Sequence, residues 1–193
     1  MSTLLLVGFC WLFFGALHSM LIHLTIRREL QKILRVDDQT YKLFYALISV
    51  VSLFTCVLVT LLSHGKWVLR PDWFTFVSGA VLILGSFYLM RLSFKNYSLM
   101  VFIGLQPESK SKLKYGGMNR FVRHPLYLST VLMLIGIMAF WPSDVIFTTC
   151  LILIAYTLIG ARLEERKLIA QFGKAYLDYM REVPAFVPKW GDK

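Results

Sequence analysis

Arg123-His124-Pro125-Leu126-Tyr127 opens a long apolar run, and Glu164-Glu165 closes it. Between them, Leu128 to Gly160 is broken only by Trp141-Pro142-Ser143-Asp144. An apolar run of this length with one turn in its middle reads as two membrane spans joined in a hairpin. Two spans return the chain to the face it left, so the polar ends of the hairpin lie on one side of the membrane. Arg123, His124, Tyr127, Glu164 and Glu165 are about forty residues apart in sequence. They are expected to meet in one pocket, whose carboxylates suit a cationic guest.

Composition agrees with a bilayer setting. The chain has 193 residues, 57% of them hydrophobic, and a mean hydropathy of +0.62. Soluble domains are usually about 45–50% apolar. The first apolar run reaches Ile26 without a basic start or a small-residue cleavage site, so it is read as a span and not as a leader. Cys10, Cys56 and Cys150 each sit alone in an apolar run, a pattern of packing residues that implies neither a disulfide nor zinc. A net charge of +10 in such a chain marks cytoplasmic loops and contact with anionic lipid, and no nucleic acid partner is expected.

The spacing predicts an all-α integral membrane protein, a single domain over residues 1–193. It has five spans, at about 4–24, 43–62, 73–92, 125–140 and 144–161, and a cytoplasmic tail over 162–193 that is helical and amphipathic to about Met180. Pro71 precedes the third span, and Gly116-Gly117 interrupts the long polar loop before the hairpin. With five spans and the N-terminus outside, nineteen of the 21 Lys and Arg residues fall on the cytoplasmic face, leaving Lys66 and Arg70 on the other. A four-span layout divides the basic loops between both faces.

The polar residues each have two readings. Pro125 suits the first turn of a helix and keeps His124 out of helical geometry. The free N–H groups of that turn, with Arg123 beside them, favour an anionic group. The plainer alternative is an interfacial anchor, with Arg123 snorkelling and Tyr127 in an aromatic belt. For Glu164 and Glu165 the plainer alternative is local pairing, Glu164 with Lys167 or Glu165 with Arg162. The functional reading turns one carboxylate back into the hairpin mouth to bind an ammonium or a sulfonium. His18 and Ser19, late in the first span, either bond to a neighbouring helix or line the pocket.

Several stretches together carry a resemblance. They are Gly104-Leu105-Gln106, then Asn119-Arg120-Phe121-Val122-Arg123-His124-Pro125-Leu126-Tyr127-Leu128, then Leu163-Glu164-Glu165-Arg166-Lys167-Leu168, Phe172-Gly173, Tyr176, Tyr179 and Val183-Pro184. In this order, with the hairpin between the motifs, the chain resembles the isoprenylcysteine carboxyl methyltransferase and phospholipid methyltransferase superfamily. Phe14-Gly15-Ala16-Leu17-His18-Ser19 looks like its small branch of methanethiol S-methyltransferases and nurim-like proteins. The resemblance implies S-adenosylmethionine as cofactor. It implies that His124, Pro125, Leu126 and Tyr127 hold the cofactor from one side, and that Glu164, with Glu165 beside it, meets the methionine ammonium. Gln106 is a further cofactor contact on the same grounds. An Arg that meets a substrate carboxylate in the prenylcysteine branch corresponds to Gly160 here. That departure favours a small or lipophilic thiol as methyl acceptor over a prenylcysteine carboxylate or a phospholipid amine. Arg123 or Arg162 would lower the thiol pKa, and His124 or His18 would take the proton. A non-catalytic membrane scaffold of the nurim type is the alternative from another class.

Overall fold

The computed structural model describes residues 2–94 and 116–188, and the regular structure among them is helical, with one isolated antiparallel bridge between Trp67 and Ser143. The helices are α1 (Thr3–Ile22), α2 (Leu24–Leu34), α3 (Asp38–Leu62), α4 (Trp73–Phe94), α5 (Pro125–Phe140), α6 (Asp144–Phe172) and α7 (Lys174–Glu182), with a 3₁₀ turn at Gly117–Arg120 ahead of α5. Four of them, α1, α3, α4 and α6, are long and apolar enough to cross a membrane. The fifth expected span, α5, is apolar but has 16 residues, a rise of about 24 Å against a hydrocarbon core of about 30 Å. Phe9, Leu12, Leu47, Phe54 and Leu84 are bare on the outer faces of these helices. Large apolar side chains in such numbers on a surface belong in lipid.

The sequence reads as one domain, whereas the contacts of the chain group into two compact units. One comprises Met1–Arg70 with Pro142–Leu153, and the other Pro71–Trp141 with Ile154–Lys193. In the first unit, α1 and α3 lie side by side around Val7, Trp11, Phe14, Cys56 and Val145. The Trp11 indole N–H donates to Thr60 Oγ1 at 2.9 Å, which satisfies the one polar atom of a buried ring. The turn Pro142–Asp144 is tied to the loop after α3: Val68 N–H donates to the Pro142 carbonyl at 2.9 Å, and Lys66 N–H to Asp144 Oδ1 at 2.8 Å.

Two boundaries differ from the sequence reading. The stretch after the first span, expected to be a loop, is the helix α2. Ile26, Leu30, Ile33 and Leu34 recur at helical spacing there. The backbone turns extended at His23, and Asp37 then caps α3 by accepting from Thr40 N–H at 2.9 Å. The tail helix expected to start at Arg162 is not separate. Helix α6 runs on through Phe172, because residues 162–172 hold only helix-compatible side chains. The break comes at Gly173, whose φ of +54° favours a residue without Cβ.

In the second unit, α4 and α5 cross at two glycines. A Cβ on Gly79 would stand 2.5 Å from Phe140 N and 2.7 Å from the Gly136 carbonyl. Small residues let the two backbones approach this closely, which is how helices associate where no hydrophobic effect drives them together.

Candidate functional site

The site is assembled in the second unit from the start of α5, the last third of α6 and the chain after α7. Pro125 occupies the first turn of α5, and His124 before it has φ −120° and ψ 62°. This non-helical geometry is the one that a following proline imposes. The segment is also pinned from downstream. Arg123 N–H donates to the Pro184 carbonyl at 2.9 Å, and His124 N–H to the Ala185 carbonyl at 3.1 Å. Asn119 Nδ2 donates to the Arg123 carbonyl at 3.2 Å, and the Tyr179 hydroxyl to the Asn119 carbonyl at 2.7 Å.

A single carboxylate oxygen gathers the side chains. Arg123 Nε and Nη2 reach Glu165 Oε1 at 2.8 and 2.7 Å, and His124 Nε2 reaches the same oxygen at 3.0 Å. Arg123 Nη1 donates to the carbonyls of Val183 at 2.5 Å and Met180 at 3.1 Å. The Arg123 and Glu165 side chains are 9% and 17% exposed and His124 4%. Charges this deep persist only when opposite charge and hydrogen bonds surround them, and here both are present. Burial, and then the Glu165 carboxylate, push the Tyr176 phenol well above its ordinary range, so it stays neutral beside the pair.

Glu164 differs from its neighbour. Its Oε2 lies 3.9 Å from His124 Nδ1, beyond hydrogen-bond length, and its side chain is 45% exposed. With Nε2 turned toward Glu165, a neutral imidazole carries its proton there and leaves Nδ1 as an acceptor on the side of Glu164. The His124 ring is held between Tyr127, at 5.5 Å between centroids, and Phe186, at 5.7 Å. Pro125 is buried, and the Leu126 carbonyl accepts from Ser129 and Thr130 at 2.7 and 3.0 Å.

The structure thus brings together Arg123, His124, Pro125, Leu126, Tyr127, Glu164 and Glu165. Arg162 is exposed on α6. His18 belongs to the first unit, where Nε2 lies 2.9 Å from the Tyr45 hydroxyl and Nδ1 3.2 Å from Ser49 Oγ. Gln106 lies outside the described residues. Sequence reasoning missed Phe186 and the carbonyls of Met180, Val183, Pro184 and Ala185. Carbonyls leave no signature in residue type. The prolines at 184 and 188 mark the end of the helix and give no sign that the chain turns back onto His124.

The family comparison defines the class of this apolar helical chain. The phospholipid methyltransferase family matches residues 74–175, and the chain belongs to that family. Among curated proteins it is similar to methanethiol S-methyltransferase 1 of Bradyrhizobium diazoefficiens, 32% identical over 136 residues, covering 68% of this chain and 42% of that protein. It is also similar to a methanethiol S-methyltransferase of Crocosphaera subtropica, 30% identical over 125 residues, 61% of this chain and 46% of that protein. Methanethiol S-methyltransferase 2 of B. diazoefficiens is 40% identical over 74 residues, 36% of this chain and 26% of that protein. The chain spans less than half the length of these relatives. No solved structure matches it.

Proposed function

We propose that the protein is an S-adenosylmethionine-dependent membrane methyltransferase acting on a small or lipophilic thiol. The observation that carries this reading is the division of labour between the adjacent acids. Glu165 is held by Arg123 and His124, while Glu164 keeps a half-exposed carboxylate 3.9 Å from the imidazole. A half-exposed anion beside an aromatic and imidazole wall fits the ammonium and sulfonium of the cofactor. When bound, S-adenosylmethionine supplies an activated methyl group. The residues of the chain bind and orient: Glu164 meets the ammonium, His124 and Tyr127 form one wall with Pro125 and Leu126, and Arg123 with Glu165 fixes the angle of the imidazole. Gln106 is a further contact on the strength of the family resemblance. Positioning and exclusion of water are what a displacement at an already activated carbon requires of a protein.

The thiol acceptor is supported by the names of the similar bacterial proteins. The name of the family supports the other acceptor, a phospholipid amine. Carboxyl methylation of a prenylcysteine is the weaker alternative, because Gly160 stands where that branch carries Arg. Arg123, Arg162 and His18 are the candidates for activating a thiol or taking its proton. We also propose that α5 is a fifth span, with the N-terminus outside and the tail in the cytoplasm. The test is calorimetry with S-adenosylmethionine on the purified protein and on Glu164→Ala and His124→Ala, followed by labelled methyl transfer to thiols, prenylcysteines and amine lipids. Binding lost in both variants and label on thiols are expected. Unchanged affinity in both variants sinks the site, and no binding by the parent leaves the scaffold reading standing.

A further inference from the structure

The first unit contains an element that the candidate site does not include. Helix α2 has 11 residues, a rise of about 16 Å, too short to cross a bilayer. It begins two residues after α1 ends and stops just before α3, both helices being long and apolar enough to span. At 100° per residue, Ile26, Leu30, Ile33 and Leu34 fall within about 100° of one another, and Arg28 and Lys32 stand on the opposite side. Ile33 and Leu34 are 73% and 53% exposed. Residues 24–35 carry Arg27, Arg28, Lys32 and Arg35 against one acid, Glu29.

Three contacts hold this helix in place. Arg27 pairs with Asp38, its guanidinium lies 5.8 Å from the Tyr41 ring centroid, and Gln31 Nε2 donates to Asp38 Oδ1 at 3.1 Å. Arg27 is thereby committed. A shallow groove of about 410 Å³ opens beside the helix, lined by Arg28, Gln31, Lys32, Val36 and Asp38. The acid in that groove is already neutralised, since Lys42 Nζ lies 3.1 Å from Asp38 Oδ2 and Arg27 takes Oδ1. Lys32 leans on Glu29 at 2.8 Å, on an exposed face where such a pair is readily exchanged for another anion.

Arg35 adds an independent observation. It closes α2 in the left-handed region, with φ 53° and ψ 41°. Gly or Asn adopts that conformation at lower cost than a long side chain does. The position therefore carries a cation at the expense of backbone comfort.

We infer that α2 lies in the plane of the membrane surface, its Ile33–Leu34 side in the acyl region, and that Arg28, Lys32 and Arg35 form a site for the headgroup of an anionic phospholipid. The amphipathic pattern, the tether at each end to a spanning helix and the neutralised groove favour lipid over an acidic protein partner. The inference does not depend on methyl transfer.

The test uses the full-length protein in detergent, incubated with equimolar phosphatidylglycerol and phosphatidylcholine and weighed intact by native mass spectrometry. The parent retains phosphatidylglycerol in preference. Each cation removed weakens that preference about five-fold, so Arg28→Gln and Lys32→Gln each lower it and the double variant nearly abolishes it. Arg35→Gly is the sharper variant, because it relieves the backbone while deleting the charge. It is expected to melt no lower than the parent and still to lose preference about five-fold. Removing cations from the other unit, Arg166→Gln with Lys174→Gln, leaves the preference intact. The inference is overturned if Arg35→Gly and Arg28→Gln retain phosphatidylglycerol as the parent does, or if the Arg166→Gln, Lys174→Gln control loses it equally.

Discussion

Glu165 Oε1 accepts from Arg123 and His124 together, and the consequences of removing it follow from what it would leave behind. Arg123 is 9% exposed, and without its counter-charge it would be a buried cation facing only carbonyls. Such a loss costs about 3–5 kcal/mol, so Glu165→Ala is expected to unfold at clearly lower temperature in a thermal melt. Glu164→Ala removes a half-exposed side chain without a close partner on His124, and is expected to change stability by no more than about 0.5 kcal/mol. The two variants separate a structural acid from the one that we propose meets the ligand. The resemblance puts the ammonium at Glu164, but residue types alone do not make this separation. Adjacent residues on a helix differ by 100° in direction, and which of the two points inward depends on the roll of α6, which its all-round apolar surface does not set. That the acids and His124 would approach one another was legible, because a helical hairpin brings its two ends back together.

At the scale of the element, glycine positions report which helix faces are in contact. Gly79 has no room for a methyl group, since Phe140 N and the Gly136 carbonyl would lie at 2.5 and 2.7 Å. Backbone atoms cannot swing aside as a side chain can. Gly79→Ala is expected to destabilise by about 1–3 kcal/mol. Gly85, on the same helix with nothing within 4 Å of a Cβ, is its control: Gly85→Ala is expected to stabilise by about 0.5–1 kcal/mol, read from melting of the two proteins in the same detergent. The long helices were legible from apolar run length alone. Helix α2 was not, because its basic residues drew the reading of a loop and its apolar positions are few. The continuation of α6 past Arg162 was hidden by the change from apolar to charged residues, which alters what surrounds a helix without ending it.

At the scale of the molecule, the distribution of charge is the feature on which the proposed orientation rests. With the N-terminus outside, Lys66 faces the exterior and Arg28 the cytoplasm. In a background with Cys10, Cys56 and Cys150 replaced by Ala, Lys66→Cys is expected to react with a membrane-impermeant maleimide in intact cells. Arg28→Cys is expected to react only after permeabilisation. The reverse pattern overturns the orientation. Division into two units was not legible, since no composition shift or flexible linker marks Arg70 or Leu153.

The carbonyls of Val183, Pro184 and Ala185 grip Arg123 and His124 from about sixty residues downstream. A ribosome holds its last few tens of residues inside its exit tunnel, so every hydrophobic segment has left the tunnel before this clasp can close. Emergence of the apolar helices is therefore separated in time from completion of the imidazole cluster. A newly made chain passes through a stage in which those helices are free of the ribosome and the clasp on Arg123 and His124 is still open.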